Sequence, residues 1–308
     1  MQIRSLTTAD AKQIHRIWRD SLGEKWPISE GALLDALGVA IKERLAIGLW
    51  REANLLGIAS AEIIKEPDAA LTLLAVDSHH QHQGIGTQLI RELAKTLEIR
   101  GIRSISLGAG ASKLLWHGVP TSLPIACKFF QGVGFIFEEI NYDLIQDISK
   151  FTAPPGVFRC RETHGVEFET LNSKAITKML AFEHEHFPEW HKYFEDAIAQ
   201  NRLSDVIIAK RGEEILGTVL ISVEPECPGG QWREFLGPNL GAIGIIGVAP
   251  AHRERGIGLA LAAHVTQVLR DRGVRNCFIH WTSLRDWYGK LGYKVWEEYQ
   301  MGKLALET

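Results

Sequence analysis

Two rhythms of hydrophobic residues alternate along the N-terminal half of the chain. QIRSL, Ala46–Trp50, Leu56–Ile64 and Leu71–Val76 read as strands. The last is nearly all apolar, as a strand covered on both faces should be. Between the first two, Ile14, Ile17 and Trp18 recur at helical spacing behind Thr7-Thr8-Ala9-Asp10, which fits a capping box. After Gly84-Ile85-Gly86, the residues Leu89, Ile90, Leu93, Ala94 and Leu97 mark one face of another helix, and Ser104–Leu107 reads as the strand that follows it. This alternation predicts an α/β fold with a mixed central sheet flanked by helices.

The same arrangement occurs twice. Val76, His80, Gly84 and Gly86 match Val248, His252, Gly256 and Gly258 at a constant offset of 172, within LTLLAVDSHHQHQGIG and IGIIGVAPAHRERGIG. LLGIAS (55–60) matches ILGTVL (215–220) at an offset of 160, so the second copy gains twelve residues around Glu224–Asn239. GVGF (132–135) matches KLGY (290–293) at an offset of 158, so the first copy carries fourteen extra residues in GAGASKLLWHGVPTSLP. Ala153-Pro154-Pro155-Gly156 breaks helix and strand alike. Two tandem domains are expected, residues 1–153 and 157–308, in keeping with a chain of 308 residues.

Composition narrows the function. With 45% hydrophobic and 23% charged residues the chain is globular rather than disordered or fibrous. The net charge of −3 is shared evenly, 16 basic and 17 acidic side chains up to residue 156 and 18 and 20 after it. No basic face is concentrated enough to suggest a nucleic-acid partner. The longest apolar stretch, Leu240–Pro250, is eleven residues, where a membrane span needs about twenty. Cys127, Cys160, Cys227 and Cys277 show no C-x-x-C spacing, and the N-terminus lacks the features of a secretory signal. A cytoplasmic protein acting on a small molecule is expected, with its oligomeric state left open.

The glycine loops carry the chemistry. A strand ending in Q/R-x-x-G-x-G and passing straight into a helix presents successive backbone N–H groups and the positive end of the helix dipole to an anion. Such glycines also make tight strand-to-helix turns with no ligand, but two copies in one context favour the anion site. There is no Gly-Lys-Ser/Thr ending of a Walker loop and no full G-x-G-x-x-G dinucleotide fingerprint.

At QHQGIG (81–86), RERGIG (253–258) and TSLRDWYGKLGYKV (282–295) the sequence resembles the GNAT superfamily of acyl-CoA-dependent N-acyltransferases. The resemblance covers both halves, and the duplicated arrangement looks like the tandem members that acetylate glucosamine or glucosaminides. It implies acetyl-CoA as cofactor, its diphosphate on Arg253, Glu254, Arg255, Gly256, Ile257, Gly258 and Leu259, and its pantetheine along Ile246, Gly247 and Val248. In the first half, Val76, Gln81, His82, Gln83, Gly84, Ile85, Gly86 and Thr87 would do the same. The family generally protonates the leaving thiolate from a tyrosine on the last helix, which is the place of Tyr288; the aligned residue in the first half is Phe130. Catalysis is therefore expected in the second half, with the first degenerate.

The strand leading to Val248 holds no carboxylate to act as base. His280 at a strand end ranks first, because histidine changes charge near neutrality; Asp286 ranks second, with Glu234 and a water relay as alternatives. Trp190, Trp232 and Trp281 are candidate acceptor contacts, suited to a sugar or another small primary amine. A cysteinyl pseudo-disaccharide, as in the tandem mycothiol synthases, is the next acceptor class, and a protein that only senses acyl-CoA is the non-catalytic alternative. FEHEHFPEWH (182–191) is rich in histidine and glutamate, but its spacing is not H-E-x-x-H and Pro188 interrupts the helix face, so no metal is expected there.

Overall fold

The chain folds as the alternating pattern predicts. The computed structural model describes residues 1–38, 44–111, 115–225 and 227–306; Ser112–Leu114 of the first insertion and Glu226 of the second lie outside them. The first copy of the repeat contains β1 (Gln2–Ser5), α1 (Ala11–Ser21), α2 (Glu30–Leu37), β2 (Arg44–Arg51), β3 (Asn54–Lys65), β4 (Asp68–Val76), α3 (Ile85–Ile99), β5 (Ser104–Leu107), β6 (Val119–Pro120), α4 (Pro124–Gly132) and β7 (Ile136–Asp147). The second contains α5 (Arg159–His164), β8 (Glu167–Thr170), α6 (Ile176–His186), α7 (His191–Ala199), β9 (Val206–Arg211), β10 (Glu214–Val223), α8 (Arg233–Leu236), β11 (Leu240–Val248), α9 (Ile257–Asp271), β12 (Asn276–Thr282), α10 (Arg285–Gly289) and β13 (Lys294–Ala305).

Local chemistry sets the helix starts. Thr7 N–H donates to the Asp10 carboxylate at 2.9 Å and Asp10 N–H donates back to the Thr7 carbonyl at 3.0 Å, which satisfies backbone groups that the helix leaves open. The helix behind this box then buries Ile14, Ile17 and Trp18 completely. Each such side chain contributes about 1.5–3 kcal/mol of transfer free energy.

Contacts divide the chain into two compact units, Met1–Asn141 with Glu297–Thr308, and Tyr142–Trp296. In the first, β1, β2, β3 and β4 pair antiparallel in that order, and β5 runs parallel to β4. Lys303–Ala305 of β13 then pair antiparallel with Ser104–Ser106. In the second, β8, β9, β10 and β11 are antiparallel neighbours, β12 runs parallel to β11, and Tyr142–Asp147 of β7 pair antiparallel with β12. Each unit's sheet thus takes one strand segment from the other copy of the repeat, and the units divide at 141/142 rather than at the Pro-Pro-Gly run. α3 packs Leu89, Leu93 and Leu97 on Leu49, Leu56 and Ala59. α9 packs on Leu216, Val219 and Ile243, while α6 and α7 cover Val206 and Ile208 with Met179 and Phe194. Among the described residues no helix is long and apolar enough to cross a membrane.

Candidate active site

A bulge at the same place in each unit opens the sheet. β4 follows β3 as far as Gly57 opposite Val76, but follows β5 only from Asp68–Ser104 to Leu71–Leu107. Ser60 faces Leu73 and Ala61 faces Leu71, so Thr72 is an extra residue, and such a residue bends its strand out of register. From there to Val76 one edge of β4 is unpaired with β5. In the second unit Val219 faces Ile246 and Ile221 faces Ile243, and pairing with β12 ends at Ala242–Phe278. Ile246, Gly247 and Val248 therefore lie on the splayed part of β11, as Val76 does on β4.

Each splay leads into a loop of identical backbone path. His82 and Gly84 have φ of +60° and +79°; Glu254 and Gly256 have +62° and +74°. The Gln81 amide donates to the Val76 carbonyl at 3.3 Å and Arg253 Nε to the Val248 carbonyl at 3.1 Å, tying each loop to the end of its strand. Helical bonding begins with Gln88 N–H to Gly84 and Ala260 N–H to Gly256, both at 3.0 Å. The N–H groups of Ile85, Gly86 and Thr87, and of Ile257, Gly258 and Leu259, consequently have no carbonyl within their own helix. Gln83 and Arg255 are exposed beside these cradles. In the first unit a cavity of about 460 Å³ runs from His80–Thr87 along Leu71–Val76 to Trp116.

An aromatic trio closes each cradle. A Cβ on Gly86 would lie 3.1 Å from Phe129, and one on Gly258 would lie 3.3 Å from Trp287. Phe130 sits between Phe129 and Phe135, with ring centroids 5.3 Å from each. At the same places in the second unit, Tyr288 lies 4.7 Å from Trp287 and 5.9 Å from Tyr293. The Tyr293 hydroxyl is engaged by Thr266 Oγ1 at 3.0 Å and Cys277 Sγ at 3.1 Å. Among the described residues the Tyr288 hydroxyl has no such partner. Tyr288 is buried, and desolvation with the nearby Cys277 raises its phenol above the ordinary value.

The sequence matches the Acetyltransferase (GNAT) family over residues 11–135 and 173–293, one stretch in each copy of the repeat. The chain belongs to the GNAT acetyltransferase family. No curated protein matches it by sequence. Among solved structures, a GCN5-related glucosamine N-acetyltransferase region of a fungal multi-domain GH3 beta-N-acetylglucosaminidase is similar over 98% of this chain and 38% of its own, with 21% identity and a TM-score of 0.88. This chain therefore spans well under half of that protein. A GCN5-related N-acetyltransferase from Sphaerobacter thermophilus aligns over 100% of this chain and 96% of its own at 16% identity, TM-score 0.73. A tandem GNAT protein from the clavulanic acid biosynthesis pathway aligns over 100% and 99% at 12% identity, TM-score 0.64. These likenesses establish a tandem GNAT fold, and the family binds acetyl-CoA or CoA.

The remaining candidate residues of this GNAT chain scatter. His280, partly exposed at the end of β12, bonds through Nδ1 to the fully buried Asp143 at 3.1 Å. Asp143 is 137 residues away, and no local pattern marks it. Asp286 is exposed beside Arg285, 3.3 Å from its Nε, and Glu234 is exposed in the insertion. Trp232 is fully buried against Trp296, and Trp190 stacks on Phe187 at 4.8 Å. Trp281 has 44% of its surface open and a φ of +51°. His184 is exposed, the His186 ring packs on Phe182 at 4.8 Å, and His191 Nδ1 lies 3.7 Å from Glu195.

One acid within FEHEHFPEWH turns inward. Glu183 is fully buried on α6, where it accepts from the Thr218 hydroxyl of β10 and, among the described residues, leaves Oε2 without a partner. Desolvation pushes its carboxyl up to about 7, opposed by the Thr218 hydrogen bond and aided by Glu189. The signal was in the spacing: Glu183 follows Ile176 and Met179 on the apolar stripe of the helix.

Proposed function

We propose that the chain transfers the acetyl group of acetyl-CoA to the primary amine of a small molecule, that the second unit does the chemistry, and that an amino sugar such as glucosamine is the acceptor class. The observation that carries this reading is that Tyr288 stands where the first copy has Phe130: two equivalent cradles, one with a hydroxyl free of protein partners among the described residues and one with a bare ring. The diphosphate rests on the amides from Arg253 to Leu259 and the pantetheine along Ile246–Val248.

The amine nitrogen attacks the thioester carbonyl and loses one proton to His280. The C–S bond breaks, and the sulfur takes a proton from Tyr288. Ordinary values of about 8.5 for a thiol and about 10 for a phenol make that transfer uphill by roughly 2 kcal/mol. Burial raises the Tyr288 phenol and makes it steeper, so the hydrogen bond from Tyr288 to the developing thiolate carries the larger share of the stabilisation. Trp281 offers an open indole to the apolar face of a sugar. A glucosamine N-acetyltransferase region shares the fold of the whole chain, which is in keeping with that acceptor.

The cavity beside Phe130 favours a second role for the first unit: it holds acyl-CoA without transferring the acyl group. Thiol release from acetyl-CoA with glucosamine, a cysteinyl glycoside and a peptide amine tests both readings. Glucosamine-dependent release supports transfer. Background rates with every amine, alongside a melting temperature raised by acetyl-CoA, would leave only an acyl-CoA-holding protein.

A further inference from the structure

The pairing of β12 with β7 is irregular near the end of β12. Ile279 pairs with Leu144 and Thr282 with Tyr142. Between those pairs two residues, His280 and Trp281, therefore stand opposite the single residue Asp143. A bulge of this kind leaves one backbone N–H without a ladder partner. Here the Asp143 side chain fills the gap: its Oδ1 accepts from Trp281 N–H at 2.9 Å and from His280 Nδ1 at 3.1 Å. Trp281 stands at a φ of +51°, in the left-handed region that an aromatic residue seldom adopts.

The carboxylate is fully buried, and burying a charge is costly unless donors surround it. An asparagine oxygen would accept from Trp281 N–H equally well. The same carboxylate oxygen faces Nδ1, which requires Nδ1–H and leaves Nε2 as the lone-pair nitrogen, and the negative charge that an asparagine would lack stabilises the ring once Nε2 is also protonated. A strained residue and a buried carboxylate joined at one oxygen are the kind of feature that functional sites retain.

We propose that Asp143 is a positioning residue for acetyl transfer: it holds His280 with its proton on Nδ1, so that Nε2 takes the proton of the attacking amine, and through the same oxygen it fixes the Trp281 backbone that aims the indole at the acceptor. The proposal rests on the reading of His280 as the proton acceptor. As the N–C bond forms, the N–H bond breaks and its proton passes to Nε2. As the C–S bond breaks, sulfur takes the Tyr288 proton. The imidazolium then returns its proton through solvent to the tyrosinate, and both groups are restored.

The test is a double-mutant cycle in the full chain with acetyl-CoA and the best acceptor amine. Asp143→Asn can keep its oxygen toward Trp281 N–H and His280 Nδ1, but it removes the negative charge that holds the ring proton on Nδ1 and stabilises the imidazolium formed when Nε2 takes up the amine proton. His280→Gln and Asp143→Asn should each lower kcat roughly 100-fold with KM for acetyl-CoA unchanged, and the double variant should be no slower than His280→Gln alone. Full turnover in His280→Gln overturns the reading of His280 and the proposal with it. A slow His280→Gln beside a fast Asp143→Asn, or two losses that multiply, overturns the proposal alone. Should Asp143→Asn not fold, the ring 15N shifts of His280 in the unaltered protein decide: a proton on Nδ1 supports the proposal, and a proton on Nε2 overturns it.

Discussion

Glu183→Gln should change how stability depends on pH, and the size of the change follows from the burial of one carboxyl. Glu183 lies between α6 and β10, where it faces Thr218 with Glu189 nearby, and its carboxyl is pushed from 4.5 up to about 7. In the unfolded chain it returns to the lower value. Below pH 4.5 both states are protonated and the group costs nothing. As pH rises the unfolded state ionises first, so stability falls until the folded carboxyl also ionises near pH 7, and it is flat above that. A shift of about 2.5 units at about 1.4 kcal/mol each makes the total roughly 3 kcal/mol, most of it lost between pH 5 and 8. Glutamine keeps a partner for Thr218 and cannot ionise. Urea unfolding of both proteins at pH 5 and 8 and equal ionic strength should show the variant gaining roughly 2–3 kcal/mol over the wild type between the two pH values, or about 5–10 °C in Tm for a unit of this size. A gap between the two proteins that stays constant with pH would refute the buried, largely neutral carboxyl.

Tyr288→Phe should reduce kcat by about 100-fold and leave acetyl-CoA affinity within about twofold, checked by steady-state rates and calorimetry; unchanged turnover would remove Tyr288 from its role. Gly256→Val forces a β-branched residue into a φ of +74° and should abolish cofactor binding in the second unit and all activity, whereas Gly84→Val should leave substantial activity. The reverse pattern would assign the chemistry to the first unit. Trp281→Ala should raise KM for the acceptor amine about tenfold, the scale of one lost aromatic contact, with KM for acetyl-CoA unaltered; an unchanged amine KM would place the acceptor elsewhere.

Much of this was legible because it is written locally. The strands, the capping box at Thr7–Asp10, the inner face of α3 and the glycine loops all depend on residues within a few positions of one another. Strand partners do not. β7 and β13 are not among the strands read from the sequence, and nothing local shows that Tyr142–Asp147 join the second unit's sheet or that Lys303–Ala305 join the first. The splay itself rests on a one-residue register shift at Thr72 that composition does not mark. At the site, Tyr288 was found through its alignment with Phe130. Asp143 carries no local mark because its partner is 137 positions away, and around Glu183 the histidine-rich composition points to metal chemistry while only its helical spacing from Met179 points inward. Trp232 illustrates the opposite case, since an aromatic residue in an inserted segment reads equally as substrate contact or core, and it lies fully buried.

The two units differ in a way that follows from which atoms do each job. The cradle proposed for the diphosphate is made of backbone amides and left-handed φ values, so it survives almost any side-chain change that spares its glycines; accordingly Gln81–Gly86 and Arg253–Gly258 trace one path although half their side chains differ. Transfer, in contrast, depends on side chains. Strand pairing sets Leu240 opposite Asn276 and Asp68 opposite Ser104, so that the offset of 172 continues through β12 and sets His280 and Trp281 against Gly108 and Ala109 of the first copy, as Tyr288 stands against Phe130. The residues proposed as proton acceptor, acceptor platform and proton donor are thus all missing from one unit while its backbone cradle is intact. A unit in that condition can still grip a coenzyme, and restoring a single hydroxyl by Phe130→Tyr should not make it a catalyst, because two of the three side-chain functions would still be absent.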